Sequence, residues 1–381
     1  MTAAAARARK LAGPALAGAA LATSFARRRA RAARKFTRAG EMYFTREGYE
    51  QSSSEAVARH RAARFAGYPR VADLCCGIGS DSVAIARAMQ AGGHVDGIDR
   101  NADTLACARL NARAYGLESA ITFHLGDALA WPLRHDAAFA DPSRRTAGGR
   151  TARADQYEPP LQAIMERAGE LKDRALGVKV APGLRVDADR LAAMCAAPVE
   201  LEYVSERGEC KEAVIWCGAL ARGHGARRAT VIDAAGTHVL DAQPFRAVAG
   251  DMQRFVGEPD PAVIRAGLIG ALCAETRATL LDPDVAYMTA GSAPRRPFVR
   301  WFEVIESMPF NAKRLRAALR ARDIGELVIK TRAFPLRPDE IAVLVKPAGA
   351  ERAVLLCTTI RGKKTAIVCR AGPDALQSAG A

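Results

Sequence analysis

Short apolar runs alternate with segments of helical composition through the middle of the chain. The runs predict seven strands, at Val71–Leu74, His94–Ile98, Ala120–His124, Asp136–Ala140, Ala175–Val180, Val199–Ser205 and Ala213–Gly218. Helices are predicted between them, at about residues 81–91, 102–115, 158–170 and 186–196. This alternation predicts an α/β fold with a doubly wound, mainly parallel sheet. Only the turn at Gly208 separates the last two strands, so we expect an antiparallel hairpin to finish the sheet.

The pattern changes after Gly218. Two short runs predict a small β extension, and residues 241–300, rich in Pro, Gly and Arg, predict a connector with one helix at Pro261–Leu280. From Trp301 a compact region begins, with alternating helices and strands. These patterns divide the chain into a basic helical extension and lid at 1–66, an α/β domain at 67–220, a β extension and connector at 221–300, an α+β domain at 301–371 and a disordered tail at 372–381.

The first forty residues contain ten Arg or Lys residues and no acid. An organelle transit peptide can have such a composition. Apolar and basic positions recur at helical spacing from Leu16 to Phe36, however, which favours a basic helical extension of the folded protein. The next segment, up to Glu55, precedes the first strand, and we expect it to fold over the turn after that strand. Within it, Ser52 followed by Glu55 predicts a helix start.

The excess of basic residues indicates what kind of partner the protein binds. The 381 residues include 56 Lys and Arg against 41 Asp and Glu, a formal charge of +15. An enzyme of small metabolites does not need this surplus, so it indicates a polyanionic partner. A compositional bias toward Arg and Ala is the alternative explanation. No apolar run approaches the roughly 18 residues that a membrane-spanning helix needs, and we expect no membrane partner.

Nine cysteines are present, without paired CxxC spacing or a Cys/His finger pattern. We therefore expect no metal site. Their odd number, and the position of several in apolar strands, indicate reduced and buried thiols in a cytoplasmic protein.

The segment Val71–Asp81 predicts a ligand-binding turn between the first strand and a helix. Its glycines let the backbone approach a ligand, and the first amides of the helix present a positive dipole end. A dinucleotide fingerprint would have a third glycine at or near Ser82, which is absent. Asp73, the acid near the end of the first strand, suits a cationic ligand better than a diphosphate. The turn residues expected at the ligand are Asp73, Cys75, Gly77, Gly79 and Asp81.

Three more acids follow the ends of the next three predicted strands. Asp99 lies twenty residues after Gly79, where a carboxylate can accept hydrogen bonds from both ribose hydroxyls. Asp127 follows the third strand, where it can accept one from an adenine amino group, and Asp141 follows the fourth. Because parallel strands end at the same edge of a sheet, these acids should line one crevice. Together with the missing third glycine, they predict an S-adenosylmethionine site.

The block Val71–Val180 resembles a class I S-adenosylmethionine-dependent methyltransferase. With Met42–Gly48 ahead of it and Lys330–Arg332 behind, the chain is similar to bacterial methyltransferases with a C-terminal THUMP-like domain. The resemblance covers about residues 35–371. It implies a seven-stranded Rossmann-like methyltransferase sheet, a C-terminal α+β THUMP-like domain, and contact of S-adenosylmethionine with Asp73, Gly77, Gly79, Asp99 and Asp127. THUMP domains proper bind RNA in RNA-modifying enzymes, so it also implies an RNA substrate.

The motif after the fourth strand departs from enzymes that methylate a base nitrogen, which commonly carry Asp/Asn/Ser-Pro-Pro and an aromatic residue. Here Asp141 and Pro142 match, but no aromatic ring follows. Arg144 could stack by its guanidinium plane or bind phosphate, or a tyrosine could supply the ring. The candidate catalytic residues are therefore Asp141, Pro142 and Arg144, and the candidate substrate contacts are Tyr43, Arg145, Tyr157, Lys330 and Arg332.

The sequence thus predicts an S-adenosylmethionine-dependent methyltransferase acting on RNA, at a tRNA or rRNA base. Many Lys and Arg residues between 313 and 364 suit phosphate contacts on RNA. Two alternatives are a small-molecule methyltransferase and an RNA-binding protein with an inactive methyltransferase fold. Carbon methylation would need a cysteine nucleophile. Cys210 is the best-placed thiol, but a structural role is favoured for it, and Lys211 and Glu212 are expected to be solvated turn charges.

Overall fold

The computed structural model describes residues 29–143, 145–146, 149–150, 153–185 and 187–370. It divides into two compact units. The first contains the described residues up to Val204 together with Glu212–Ala226, and the second contains Ser205–Lys211 together with the described residues from Arg227 onward.

Seven neighbouring strands form the centre of the first unit. Its strands are β1 Arg70–Leu74, β2 His94–Asp99, β3 Ile121–Leu125, β4 Ala137–Ala140, β5 Leu176–Val180, β6 Val199–Glu206 and β7 Glu209–Cys217. They lie in the order β3-β2-β1-β4-β5-β7-β6. Neighbours from β3 to β5 are parallel, and β7 is antiparallel to β5. The predicted parallel strands, and an antiparallel strand beside the last of them, are therefore confirmed.

The helices of the first unit connect these strands or precede them. They are α1 Arg46–Gln51, α2 Glu55–Ala62, α3 Ser80–Ala88, α4 Ala102–Ala114, α5 Leu161–Glu166 and α6 Ala188–Cys195. Short 3-10 turns occupy Ala63–Phe65, Ala154–Gln156, Arg167–Glu170, Lys172–Arg174 and Gly218–Leu220. The start of α2 differs from the prediction, because Ser54 rather than Ser52 accepts the capping hydrogen bond, from the Val57 N–H. Ser52 instead ends α1.

The N-terminal segment packs on the same unit. Residues 29–32 are helical, and turns begin directly after them. The helix predicted to extend to Phe36 therefore ends earlier than expected. Phe36, Met42 and Phe44 are buried against Ile78, which belongs to the turn after β1. Asn111 of α4 strengthens this attachment, because its amide bonds the backbone of Tyr43 in both directions and the Ile78 carbonyl. The extension therefore helps to hold the turn in place.

The second unit has a hairpin and a seven-stranded sheet. The antiparallel hairpin is β8 Ala226–Asp233 with β9 Gly236–Ala242. The sheet contains β10 Phe255–Pro259, β11 Thr279–Asp282, β12 Val285–Ala290, β13 Val299–Pro309, β14 Ile324–Arg332, β15 Glu351–Ile360 and β16 Lys363–Arg370, in the order β11-β12-β10-β13-β16-β15-β14. Strands β14 and β15 are parallel. The helices are α7 Pro261–Ala266, α8 Ile269–Thr276, α9 Ala312–Arg320 and α10 Pro338–Val345.

Residues 241–300 are more regular than the sequence indicated. The helix expected at Pro261–Leu280 is two helices, because Gly267 ends α7 and Arg277 ends α8 in left-handed conformations. Three strands, β10 to β12, also lie in this stretch. Their apolar side chains, including Val256 and Leu281, join a core with strands of the C-terminal region. Strands this short, between Pro and Gly residues, give too weak a periodicity to be recognised.

Candidate functional site

A cavity of about 760 Å³ lies at the carboxyl ends of β1 to β4. Asp99, Asp127 and Asp141 line it, as expected for side chains that follow parallel strands. The segment ahead of β1 contributes Glu47 and Gly48 to the lining. The seven acids of the lining are Glu47, Asp81, Asp99, Asp103, Asp127, Asp141 and Glu158. Among the described residues of the lining the one basic side chain is Arg100, which pairs with Glu158 at 2.9 Å. The cavity therefore favours positive charge.

The turn after β1 has three residues in the left-handed region, Cys75, Gly77 and Gly79, with φ of 64°, 55° and 77°. The two glycines serve different purposes. A Cβ on Gly77 would meet no atom within 4 Å, so this residue leaves space above the backbone. A Cβ on Gly79 would lie 3.1 Å from side-chain atoms of Ala108 and Phe123, so this glycine permits close packing of the sheet and helices. Cys75 lines the cavity in spite of its unusual conformation.

Asp99 and Asp127 are fixed by backbone amides. The Gly77 N–H donates to Asp99 Oδ2 at 2.8 Å, and the Asn101 N–H donates to Oδ1 at 2.8 Å. The Leu129 N–H donates to Asp127 Oδ1 at 2.8 Å. Each carboxylate oxygen has more than one lone pair, so both side chains can still accept hydrogen bonds from hydroxyl or amino groups in the cavity.

Asp73 lies beneath the turn and is fully buried. Its Oδ2 accepts a hydrogen bond from Ser82 at 2.5 Å, while Oδ1 has no partner among the described residues. Burial, reinforced by the charge of Asp81, raises the pKa of this carboxyl well above its usual range. Asp73 is not among the described residues that line the cavity.

Asp81 belongs to a buried ion-pair cluster. The Arg61 guanidinium, itself 2% exposed, donates to Asp81 and Glu212, and to Ser53 at 3.0 Å. Burial opposes its charge, but the two carboxylates outweigh that effect and raise the pKa of Arg61. The expectation that Glu212 is a solvated turn charge is therefore wrong, because it is 1% exposed within this cluster.

Asp141 has a buried partner that sequence reasoning missed. Lys179, in β5, donates from Nζ to Asp141 Oδ2 at 2.6 Å, and only 4% of its side chain is exposed. The signal was present in the sequence, because a lysine interrupts the otherwise apolar run Ala175–Val180. Pro142 is buried next to Asp141, and Arg144 lies outside the described residues.

The candidate aromatic contacts are engaged elsewhere. Tyr157 is buried, and its hydroxyl accepts a hydrogen bond from the Ala181 N–H at 2.8 Å. Tyr43 is half-buried, with the Arg29 guanidinium 5.1 Å above its ring. Among the described residues of the lining no aromatic side chain occurs. Arg145 pairs through its backbone with Arg150.

In the second unit, Lys330 and Arg332 both have partners. Lys330 Nζ bonds Glu258 at 2.8 Å. Arg332 bonds the Ala286 carbonyl and lies 4.9 Å above the ring of Tyr287. Both side chains therefore link β14 to β10 and β12, which are not its hydrogen-bonded neighbours in the sheet.

Comparison with known proteins decides the family. Family profiles match a methyltransferase domain at residues 71–141 and a THUMP domain-like region at residues 299–371. Uncharacterized S-adenosylmethionine-dependent methyltransferases from two strains of Mycobacterium tuberculosis are 32% identical over 331 residues, covering 86% of this chain and 88% of each relative. The chain belongs to the S-adenosylmethionine-dependent methyltransferases.

The fold of this methyltransferase agrees with that assignment. A crystal structure from Porphyromonas gingivalis W83, of a protein assigned as a methyltransferase, superimposes with a TM-score of 0.72 at 22% identity, covering 90% of this chain and 88% of that one. The predicted family, fold class, enzyme class and cofactor are confirmed. None of the helices in the described part of the chain combines the length and hydrophobicity that a membrane span requires.

The cavity of this methyltransferase fits S-adenosylmethionine. The cofactor carries a sulfonium and an ammonium, and the acid-rich lining favours both charges. The free lone pairs of Asp99 suit a ribose diol, and the space above Gly77 allows a ligand to approach the backbone. The same lining does not suit a diphosphate.

Proposed function

We propose that this methyltransferase acts on RNA, at a base of tRNA or rRNA. The single observation that carries the proposal is the THUMP domain-like region at residues 299–371, in which Lys313, Arg314 and Arg320 are exposed. The formal charge of +15 supports it. Such a substrate is consistent with a cytoplasmic enzyme, and the nine cysteines are all free thiols.

Helix α9 is the proposed phosphate-binding element. Its Leu315 and Leu319 are buried one turn apart, which turns the opposite face outward. Lys313, Arg314 and Arg320 are exposed, and none forms an ion pair with an acid in the described part of the chain. Three unpaired cations on one helix suit electrostatic contact with a phosphate backbone. Lys330 and Arg332 are weaker candidates, because Glu258 and the Ala286 carbonyl already engage them.

For the cofactor we assign Asp99 to the ribose hydroxyls and Asp127 to the adenine amino group. Gly77 and Cys75 would form the surface over which the methionine part lies, and Gly79 would keep that turn close to α4. Asp73 and Asp81 would contribute negative charge from beneath and beside it. S-adenosylmethionine, when bound, supplies an electrophilic methyl group.

We assign Asp141 and the carbonyl of Pro142 to the acceptor group on the substrate. Asp141 lines the cavity, and a carboxylate there can orient an amino group and accept its proton. Arg144, Arg145 and Tyr43 stay in this proposal as contacts to the rest of the nucleotide, whereas Tyr157 is buried and bonded to the Ala181 N–H and is not assigned to the substrate. The positioning of the acceptor, rather than covalent catalysis, would supply most of the rate enhancement.

A small cationic or neutral metabolite is the second candidate substrate. The observation that favours it is the acid-rich lining, which repels phosphate groups, together with the lack of an aromatic ring among the described residues of that lining. An RNA substrate would therefore have to insert its acceptor group while its phosphates stay outside the cavity.

The test is to compare modified nucleosides by mass spectrometry in total RNA from cells with and without the protein. The RNA proposal expects one methylated nucleoside to be lost, and to return when purified protein and S-adenosylmethionine are added to the deficient RNA. Unchanged nucleosides, together with no RNA binding at low salt, would favour the metabolite.

A further inference from the structure

Lys179 is a buried ammonium at the edge of the candidate active site. The residue lies in β5 and is almost fully buried. An ammonium in such surroundings is costly unless it is paired, and its partner is Asp141 Oδ2 at 2.6 Å.

The sheet register explains why these two side chains meet. Ala140 of β4 lies beside Val178 of β5, so the following residues, Asp141 and Lys179, come next to each other where both strands reach the cavity. Side chains two residues apart share a face of a strand. Asp141 and Lys179 therefore continue the face formed by Phe139 and Gly177.

The pairing leaves one carboxylate oxygen for a ligand. Oδ2 of Asp141 receives the Lys179 ammonium, whereas Oδ1 accepts no hydrogen bond from the residues that the structure describes. The Asp141 side chain is 20% exposed and lines the cavity. Other groups that act on Asp141 through their charge are Asp73 from β1 and Cys75 from the turn, and ionisation of either would oppose a negative charge on Asp141.

We propose that Lys179 is a positioning residue for methyl transfer, which fixes the Asp141 carboxylate through Oδ2 and directs its Oδ1 at an acceptor group that carries a hydrogen. The acceptor is then an exocyclic amino group or a hydroxyl, and not a ring nitrogen with a free lone pair. This inference rests on the proposed role of the cavity in binding the acceptor.

The fate of the proton explains why the acceptor must carry a hydrogen. The acceptor nitrogen or oxygen forms a bond to the methyl group while the methyl–sulfur bond breaks, and the electron pair of the broken bond stays on the sulfur, which leaves as a neutral thioether. The acceptor also loses its bond to hydrogen, and the electron pair of that bond stays on the acceptor atom. The proton passes to Asp141 Oδ1, which becomes a neutral carboxylic acid. The positive charge of the methyl donor and the negative charge of Asp141 disappear together, while Lys179 stays protonated throughout. A ring nitrogen with a free lone pair has no proton to release and needs no such carboxylate.

The experiment measures transfer of tritium from methyl-labelled S-adenosylmethionine to total RNA from cells that lack the protein. Lys179→Met should reduce the rate about 100-fold, in the range for a general base, and should move the acid limb of the pH–rate profile to higher pH. Lys179→Arg keeps the cation and should restore most of the rate and the original profile. Cofactor affinity, measured by calorimetry, should stay within about threefold in both variants.

Lys172→Met is the matched control, because Lys172 is exposed and lies outside the cavity lining. It should leave the rate and the profile unchanged. A Lys179→Met enzyme with the wild-type rate and profile would overturn the proposal. Identification of the labelled product as a nucleoside methylated at a ring nitrogen without hydrogen would overturn the acceptor class.

A double-mutant cycle on protein stability, measured without substrate, tests the Lys179–Asp141 pair independently of the RNA proposal. The melting temperatures of Lys179→Met, Asp141→Asn and the double variant should be non-additive, with the double variant less destabilised than the sum of the two. Additive shifts would refute the pairing. If wild-type protein labels no RNA while the cycle is non-additive, the RNA proposal fails and the pair stands. The acceptor class is then decided by the same assay on a metabolite extract.

Discussion

The Gly77 N–H donates a hydrogen bond to Asp99 Oδ2 across 2.8 Å, which joins the turn after β1 to the end of β2. Asp99 is thus held by the same backbone that leaves open space above Gly77. A carboxylate fixed in this way loses little entropy when it accepts hydrogen bonds from a ligand, and it also orders the turn over which that ligand lies.

Asp99→Ala should therefore weaken S-adenosylmethionine binding by about 10- to 100-fold, the effect of losing hydrogen bonds to a charged group. Calorimetric titration of the cofactor measures it. Asp103→Ala is the matched control, since Asp103 lines the same cavity but accepts no side-chain hydrogen bond from the described residues. Equal losses in the two variants would mean that charge alone, and not the fixed geometry of Asp99, determines affinity.

The positions of Asp99, Asp127 and Asp141 could be predicted because they depend on one rule. Each follows a strand in a parallel sheet, and the carboxyl ends of parallel strands meet at one edge. The periodicity of the strands and the turn glycines show where each strand ends. The cavity and these three of its acids could therefore be predicted from the local pattern alone.

The buried ion pairs near the cavity could not be predicted in the same way. Arg61 reaches Glu212 across 151 positions of sequence, and Lys179 meets Asp141 through the register of two strands. A charged residue in a turn or an apolar strand is compatible with solvent or with a buried partner, and only tertiary packing decides between them. For this reason the prediction of a solvated Glu212 is wrong, whereas Lys179 interrupts an apolar run and is recognisable from the sequence.

Arg61→Met should destabilise the first unit strongly, because it leaves Asp81 and Glu212 buried without their cation. Removing one partner of a buried pair typically costs about 3–5 kcal/mol. Denaturant unfolding in a Trp301→Phe background measures it, since the remaining tryptophans, Trp131 and Trp216, both lie in the first unit.

Two further variants keep this prediction testable. Arg59→Met removes an exposed charge from the same helix and should change stability by about 0.5 kcal/mol or less. Arg61→Lys keeps a cation but cannot reach both acids equally, and it should fall between the wild type and Arg61→Met. A midpoint for Arg61→Met no lower than that of Arg59→Met would show that the buried cluster contributes nothing to stability.

Asp73 should make the cofactor-free protein less stable as pH rises. Its folded-state pKa is raised by burial and by Asp81, so the folded state binds more protons than the unfolded state above the ordinary aspartate value of about 4. Stability is therefore lost as pH increases from about 4 through the raised pKa. Asp73→Asn keeps an oxygen for Ser82 and cannot ionise, so its melting temperature should depend less on pH.

Melting temperature measured from pH 5 to 8 for both proteins gives the comparison, and the wild type should fall relative to Asp73→Asn as pH rises. Asp103→Asn, at a more exposed acid, should run parallel to the wild type. Parallel curves for Asp73→Asn as well would mean that the Asp73 carboxyl ionises normally in the folded protein.

Helix α9 should determine the salt dependence of RNA binding. If Lys313, Arg314 and Arg320 each contact a phosphate, changing all three to alanine should lower the slope of log affinity against log salt by about 2 to 3, because each neutralised phosphate contributes about 0.7 to 0.9. Filter binding of total RNA at increasing salt measures the slope. Arg254, Arg337 and Arg370 provide a matched control triple in the same unit, since acids already pair with all three. Their replacement by alanine removes the same formal charge but should change the slope little, so a similar fall in both triples would assign RNA binding to net charge rather than to α9.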